Sequence, residues 1–114
     1  MTSRTALIIG NSVYDDPTLA RLNAPAADVR ALAALLSDGE IGQFDSVRTL
    51  IDETEATTRR AIAAFYAAAK PDDLLLLYFS GHGVLDDQGR LYLAARDTQH
   101  DLPQGSALPA AFIT

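Results

Sequence analysis

The sequence predicts an α/β fold built around a short parallel sheet. Three observations carry this. Apolar runs of strand length stand at residues 5–10 (TALIIG), 47–51 and 74–79 (LLLLYF). Between them lie two segments whose alanines and leucines recur at helical spacing. Glycine, proline or aspartate punctuates the junctions. Strand alternating with helix implies parallel pairing with right-handed crossovers.

The elements follow in order. Residues 5–10 end at Gly10 and read as a buried strand. Residues 11–25 form a polar loop of Asn, Ser, Asp and Pro. A helix follows over 26–36, with Val29, Leu32, Ala33 and Leu36 on one face, and Gly39 and Gly42 mark its stop. Residues 47–51 are the second strand. Thr54 or Thr57 caps a second helix running to about Lys70, with Ala61, Ile62, Phe65, Tyr66 and Ala69 as its apolar stripe. Pro71, Asp72 and Asp73 break it.

The uninterrupted run at 74–79 has the pattern of a strand buried on both faces, and it stops at Ser80-Gly81-His82-Gly83. Val84-Leu85 and residues 90–94 flank Asp86-Asp87-Gln88-Gly89, a hairpin signal with Gly placed for a positive φ. Residues 98–109 are polar and turn-rich, and 110–114 read as the first turn of a further helix. Three apolar strands need cover on both faces. Two full helices leave one face of the sheet under-covered.

Composition narrows the function. A chain of 114 residues, 48% hydrophobic, holds one folded domain and no second core. The chain has no cysteine, which excludes a disulfide scaffold, a thiolate metal site and any cysteine nucleophile of its own. Fifteen acids against nine Lys and Arg argue against phosphate-driven nucleic-acid binding. The longest apolar run is far short of a membrane span, and the N-terminus is too short for a secretory signal. A cytoplasmic domain is expected, with no nucleic-acid or membrane partner and no cofactor.

Ligands of an open parallel sheet sit at the carboxyl ends of its strands. There His82 follows an apolar strand directly, flanked by Gly81 and Gly83. The glycines permit unusual φ and close approach of a substrate backbone, and the Gly83 N–H can address a developing oxyanion. Two readings stand: a catalytic base, or a ring in a tight turn bonded to backbone. No nucleophile for such a base is evident, because Ser80 is two residues away and no G-x-S-x-G elbow is present. Asp28 is expected in the first turn of the first helix, where it either complements the helix N-terminus or faces a cationic substrate group. His100 reads as a surface residue, so no metal site is expected. Asp15 and Asp16 read as solvated loop residues, Asp86 and Asp87 as turn formers, and the four tyrosines as core or rim packing. Gly10-Asn11-Ser12 is a weak phosphate-loop alternative without a GxGxxG or GK[ST] pattern.

The segments Ala6-Leu7-Ile8-Ile9-Gly10-Asn11 with Tyr14, Leu22-Asn23-Ala24-Pro25-Ala26-Ala27-Asp28-Val29, Leu77-Tyr78-Phe79-Ser80-Gly81-His82-Gly83, and Leu91-Tyr92-Leu93 with Asp97-Thr98 together resemble the caspase-like cysteine peptidases. The likeness is nearest the bacterial caspase-family and metacaspase branch and runs from about residue 5 to the end. It implies a three-layer α/β/α sandwich with a mostly parallel sheet. It matches His82 to the catalytic histidine, Gly83 to an oxyanion-hole N–H, and Asp28 and Ser80 to the substrate pocket of enzymes that cut after Arg or Lys. Arg21 does not fit the arginine of enzymes that cut after Asp.

The family's nucleophile stands in an Asp-x-Cys segment about 50 residues beyond the histidine. This chain runs only to Thr114 and contains no cysteine. Residues 1–114 therefore read as the N-terminal part of a single caspase-like domain, incomplete but with a hairpin after its third strand. The expected function is the histidine-bearing portion of a cysteine endopeptidase acting on protein or peptide substrates and inactive alone. Self-association or a second chain would complete the sheet. The alternatives are a non-catalytic pseudo-peptidase serving as an assembly module, and an unrelated nucleotide-binding α/β domain. No calcium loop of regularly spaced acids is present.

Overall fold

A computed structural model describes residues 2–113. A parallel sheet of order β2-β1-β3 is formed by β1 (Arg4–Gly10), β2 (Ser46–Ile51) and β3 (Leu74–Ser80). Helix α1 (Ala24–Ser37) joins β1 to β2, and α2 (Glu55–Ala67) carries the chain from β2 across β1 to β3. The two crossovers step in opposite directions along the sheet. Right-handed connections therefore put the helices on opposite faces.

Side-chain alternation in β1 feeds both layers. Ala6 and Ile8 pack with Val29, Leu32 and Leu36 of α1. Leu7 and Ile9 pack with Ala61, Ile62 and Phe65 of α2. The α/β/α arrangement that the resemblance implies is thus present. Each helix covers one face of the central strand, and Leu93, Leu108 and Ile113 add cover on the α2 side. The sheet is consequently open at the β3 edge rather than bare on one face. Beside α2, at the opposite end of the sheet from His82, lies a groove of about 220 Å³ lined by Leu7, Arg48, Ala61 and Phe65 among others.

Two boundaries and one burial pattern differ from expectation. Helix α1 begins at Ala24, with Pro25 in its first turn, where the missing N–H costs nothing. Asp28 is therefore the fifth helical residue, outside the first turn. Helix α2 is capped by Thr54, whose side chain accepts the Thr57 N–H, and ends at Ala67 rather than near Lys70. β3 is not buried on both faces. Leu74 is 54% exposed and the residues after it are half-buried, because β3 is an edge strand.

Gly10 marks the tightest contact between layers. A Cβ there would stand 2.4 Å from Val29 Cγ2 and 2.8 Å from the Pro25 carbonyl oxygen. Near the far end of α1, residues 38–44 fold back, and the Gly42 N–H donates to the Leu35 carbonyl. A Cβ on Gly42 would collide with the Leu36 backbone, whereas one on Gly39 would meet nothing.

A second, antiparallel sheet of order β4-β5-β6 follows, from β4 (Gly83–Leu85), β5 (Leu91–Leu93) and β6 (Leu108–Pro109). The hairpin is where the glycine and acid signal placed it, and Gly89 takes φ +78°. The Asp86 carboxylate accepts N–H groups from Gln88 and Arg90, the Arg90 guanidinium and the Tyr92 hydroxyl. Burial opposes its charge, but these donors win, and its pKa falls from 3.8 to about 2. The short helix α3 (Pro103–Ser106) and strand β6 were not foreseen in the turn-rich stretch. Residues Ala110–Ile113 form a 3-10 turn rather than an α-helix, and Thr114 lies outside the described residues. No helix among the described residues is long and apolar enough to cross a membrane.

Two outcomes follow from this packing. Gly10→Ala is expected to destabilise the fold by about 1–3 kcal/mol, read as a lower urea midpoint, because the helix or strand must shift. Asp86→Asn is expected to lower the midpoint at neutral pH. A depressed carboxyl pKa contributes stability that is present above the unfolded value and lost as pH falls through the folded one. The difference between parent and variant should therefore be full above about pH 4 and shrink between pH 3.8 and about 2.

Candidate functional site

The carboxyl ends of β1, β2 and β3 meet at Asn11, and this residue builds the site. Its side chain is 1% exposed. Its Nδ2 donates to the Ala94 carbonyl at 3.0 Å, and its Oδ1 accepts the Asp52 N–H at 3.1 Å. Its own backbone N–H donates to the Ser80 carbonyl at 2.9 Å. Asp52 has a left-handed φ of +56°, and its carboxylate accepts the N–H groups of Ser12 and Val13 at 2.7 and 3.0 Å. The Ser12 hydroxyl accepts the Ala26 N–H at 3.1 Å and so caps α1, a role the Asn23 side chain does not fill. The polar groups of Asn11 and Ser12 are thus spent on the protein's own backbone, which removes the basis for a phosphate loop here.

His82 sits two residues past β3, where the chain leaves the parallel sheet for the antiparallel ribbon. Its Nε2 stands 2.7 Å from the Ala20 carbonyl oxygen. A carbonyl only accepts, so Nε2 carries the proton, and in the neutral ring Nδ1 is left as the acceptor. Its backbone N–H donates to the Tyr14 hydroxyl at 2.9 Å, and its carbonyl accepts the Ala94 N–H at 3.0 Å. The Tyr14 hydroxyl in turn donates to the Asn11 carbonyl at 2.7 Å. The Tyr14 and His82 rings lie 4.9 Å apart, tilted by 56°.

Burial pushes the Tyr14 pKa up. The His82 N–H pulls the other way and the Asp52 charge adds to the rise, so the hydroxyl keeps its proton for Asn11. Gly81 makes room for this contact, because a Cβ there would stand 2.8 Å from the Tyr14 hydroxyl oxygen. Loop 11–23 is held from its other side as well. The Asp15 N–H donates to the Arg96 carbonyl, and the Asp16 carboxylate accepts from Thr18 and from the His100 N–H. The His100 and Thr18 donors lower the Asp16 pKa, so this acid is a loop tie rather than a freely solvated residue.

The caspase domain profile matches residues 3–105. The chain belongs to the caspase-domain family. No curated protein matched it in a sequence comparison. Within this caspase domain, Ser80, Gly81, His82 and Gly83 are contiguous at the β3–β4 junction. Ser80 and His82 are half-buried and Gly83 is exposed. Asp28 is exposed on α1. Its neighbour Val29 is buried and turns toward Gly10 at the end of β1. No hydrogen bond or ion pair joins Asp28 to the β3–β4 junction among the described residues.

Among the described residues no cluster of three or more His, Asp or Glu can hold a metal ion. Sequence reasoning missed Tyr14, Asn11 and Asp52 as the residues that position His82. The usable signal was the polar Asn directly after a buried strand, since a buried side-chain amide requires partners.

Tyr14→Phe is expected to retain the ring against His82 but leave the His82 N–H and the Asn11 carbonyl without their shared partner. A loss of about 1 kcal/mol in urea unfolding, with altered His82 ring shifts in NMR, checks it.

Proposed function

We propose that this chain is the histidine-bearing part of a caspase-like cysteine peptidase of the bacterial or metacaspase type, cutting protein chains after Arg or Lys. The observation that carries the proposal is the Nε2–H of His82 held by the Ala20 carbonyl. It leaves Nδ1 as the acceptor at a strand end of a caspase domain. In the reaction a cysteine thiol gives its proton to Nδ1, and the thiolate attacks the scissile carbonyl carbon. The C–N bond breaks as the imidazolium returns the proton to the departing amine. Water then cleaves the thioester, restoring the thiol and releasing the new carboxylate.

The N–H of Gly83, an exposed residue, is assigned to the oxyanion. Asp28 is assigned to the cationic side chain of the substrate, on the resemblance and on its being an exposed acid of α1. Ser80 is assigned to the pocket wall. The chain contains no cysteine, so the nucleophile in this reading comes from residues beyond Thr114 or from a second chain. The chain by itself is expected to cleave nothing. The same missing thiol favours the second reading, a non-catalytic assembly module.

The test begins with the coding sequence past Thr114. An apolar strand ending in Asp-x-Cys is expected within about 15–25 codons. The polypeptide that includes it should cleave Arg- and Lys-ended peptides over Asp-ended ones. His82→Ala should lower kcat about 10³-fold or more. Asp28→Asn should raise KM for Arg-ended peptides with less effect on kcat. A stop codon directly after Thr114, with no cleavage on adding a second chain, would leave the assembly module as the function.

A further inference from the structure

The groove beside α2 has its cause in small side chains. Ala61, Ala64 and Ala68 follow one another at helical spacing along α2 and its C-cap. Thr5 and Ser46 stand opposite each other in the β1–β2 ladder beneath them. Interiors are normally close-packed, and small residues on both walls do not fill the gap between a helix and a sheet. An open groove of about 220 Å³ results, with Leu7 and Phe65 adding apolar surface. No residue of β3 lines it, so its shape does not depend on what borders β3.

Two charged residues stand at its rim. Asp73 accepts the Ser3 N–H through one oxygen and the Lys70 N–H through the other, so both oxygens are engaged with backbone. Arg48 is exposed and makes no hydrogen bond, ion pair or ring contact among the described residues. Alternation along β2 puts it on the same face as Leu50, which packs in the α2 layer. Arg48 is opposite Leu7, whereas Asp73 is level with Ser3, about 13 Å away along β1. The apolar space therefore lies between one uncommitted guanidinium and one acid.

We propose that this groove binds a small amphipathic carboxylate. Its carboxylate pairs with the Arg48 guanidinium, and its apolar chain lies over Ala64 and Ala68. A planar guanidinium meets a carboxylate with two parallel N–H bonds, which fixes the head group. Asp73 repels a second acid at the far end, so the ligand carries one carboxylate. Size follows from the volume. An apolar cavity of about 150 Å³ takes up benzene, so about 220 Å³ holds a chain of about nine non-hydrogen atoms. The site lies away from His82 and does not rest on the peptidase reading.

Sodium octanoate is the probe, titrated below its micelle concentration into the isotope-labelled 114-residue chain. Amide shifts in NMR should saturate, centred on Leu7, Arg48, Ala64 and Ala68, with half-saturation at about 1 mM or below. The net charge of −6 gives no general attraction for anions, so the head-group effect belongs to Arg48. Arg48→Gln removes no side-chain bond of the fold and should weaken binding about tenfold. Ala64 is exposed in the groove wall, so Ala64→Leu should fill the space and abolish the shifts while the rest of the spectrum stays that of the parent. Octylamine, of opposite charge, and suberate, whose second carboxylate approaches Asp73, should each bind about tenfold more weakly. If Ala64→Leu fails to fold, Arg48→Gln and the ligand series on the parent chain decide. No saturable shift by about 10 mM octanoate, shifts centred elsewhere, unchanged binding in Arg48→Gln, or equal binding of octylamine or suberate would each overturn the proposal.

Discussion

The structure depends on how one buried residue, Asn11, is satisfied. A strand end that is 1% exposed cannot carry an amide without partners, since an unmet polar group there costs about 1–3 kcal/mol. Asn11 meets the demand by joining three other segments. Its side chain reaches the backbone of Ala94 and Asp52, its N–H reaches Ser80, and its carbonyl takes the Tyr14 hydroxyl. The ends of β2, β3 and β5 are thereby registered against β1 by short-range bonds in a low-dielectric setting, where each bond is worth more than in water.

The position of His82 is inherited from this arrangement. The ring is not anchored by its own burial, since it is only half-buried. It is anchored by backbone and ring contacts that run through Tyr14 and Ala20, both in the loop that begins at Asn11. Gly81 is the steric condition for that route, because a side chain would occupy the place of the Tyr14 hydroxyl. Loop 11–23 thus acts as a second wall of the site, tied down at Asp15 and Asp16 by residues 96–100. The antiparallel ribbon serves the same end, since Ala94 bonds both the Asn11 side chain and the His82 carbonyl.

Most of the fold was legible because its strands and helices carry strong local periodicity. The three parallel strands, both long helices and the Asp86 hairpin follow from spacing and turn chemistry. The order β2-β1-β3 did not follow from the pattern, since handedness fixes only which face each crossover helix takes once the order is known. What escaped was tertiary. An uninterrupted apolar run looks the same whether a strand is central or at an edge, so residues 74–79 read as fully buried. A proline admitted into the first turn of α1 moved Asp28 two residues deeper, from the first turn to the second. Strand β6 is too short to leave a pattern; it pairs with β5 just after a loop closed on itself by bonds from Thr98 and Gln99 to Ser106. His82 and its glycines were visible as a strand-end motif. Tyr14, Asn11 and Asp52 were not, because their roles lie in contacts distant along the chain.

Strand β3 and the histidine are linked by geometry. Phe79 stands three residues before His82, on the strand that delivers it. Past Phe79 the strand meets Gly81, against which the Tyr14 hydroxyl and the Phe79 ring stand. With Nε2–H committed to the Ala20 carbonyl, Nδ1 is the ring nitrogen left to accept a hydrogen bond, so the loop that begins at Asn11 fixes which atom of His82 a partner can address.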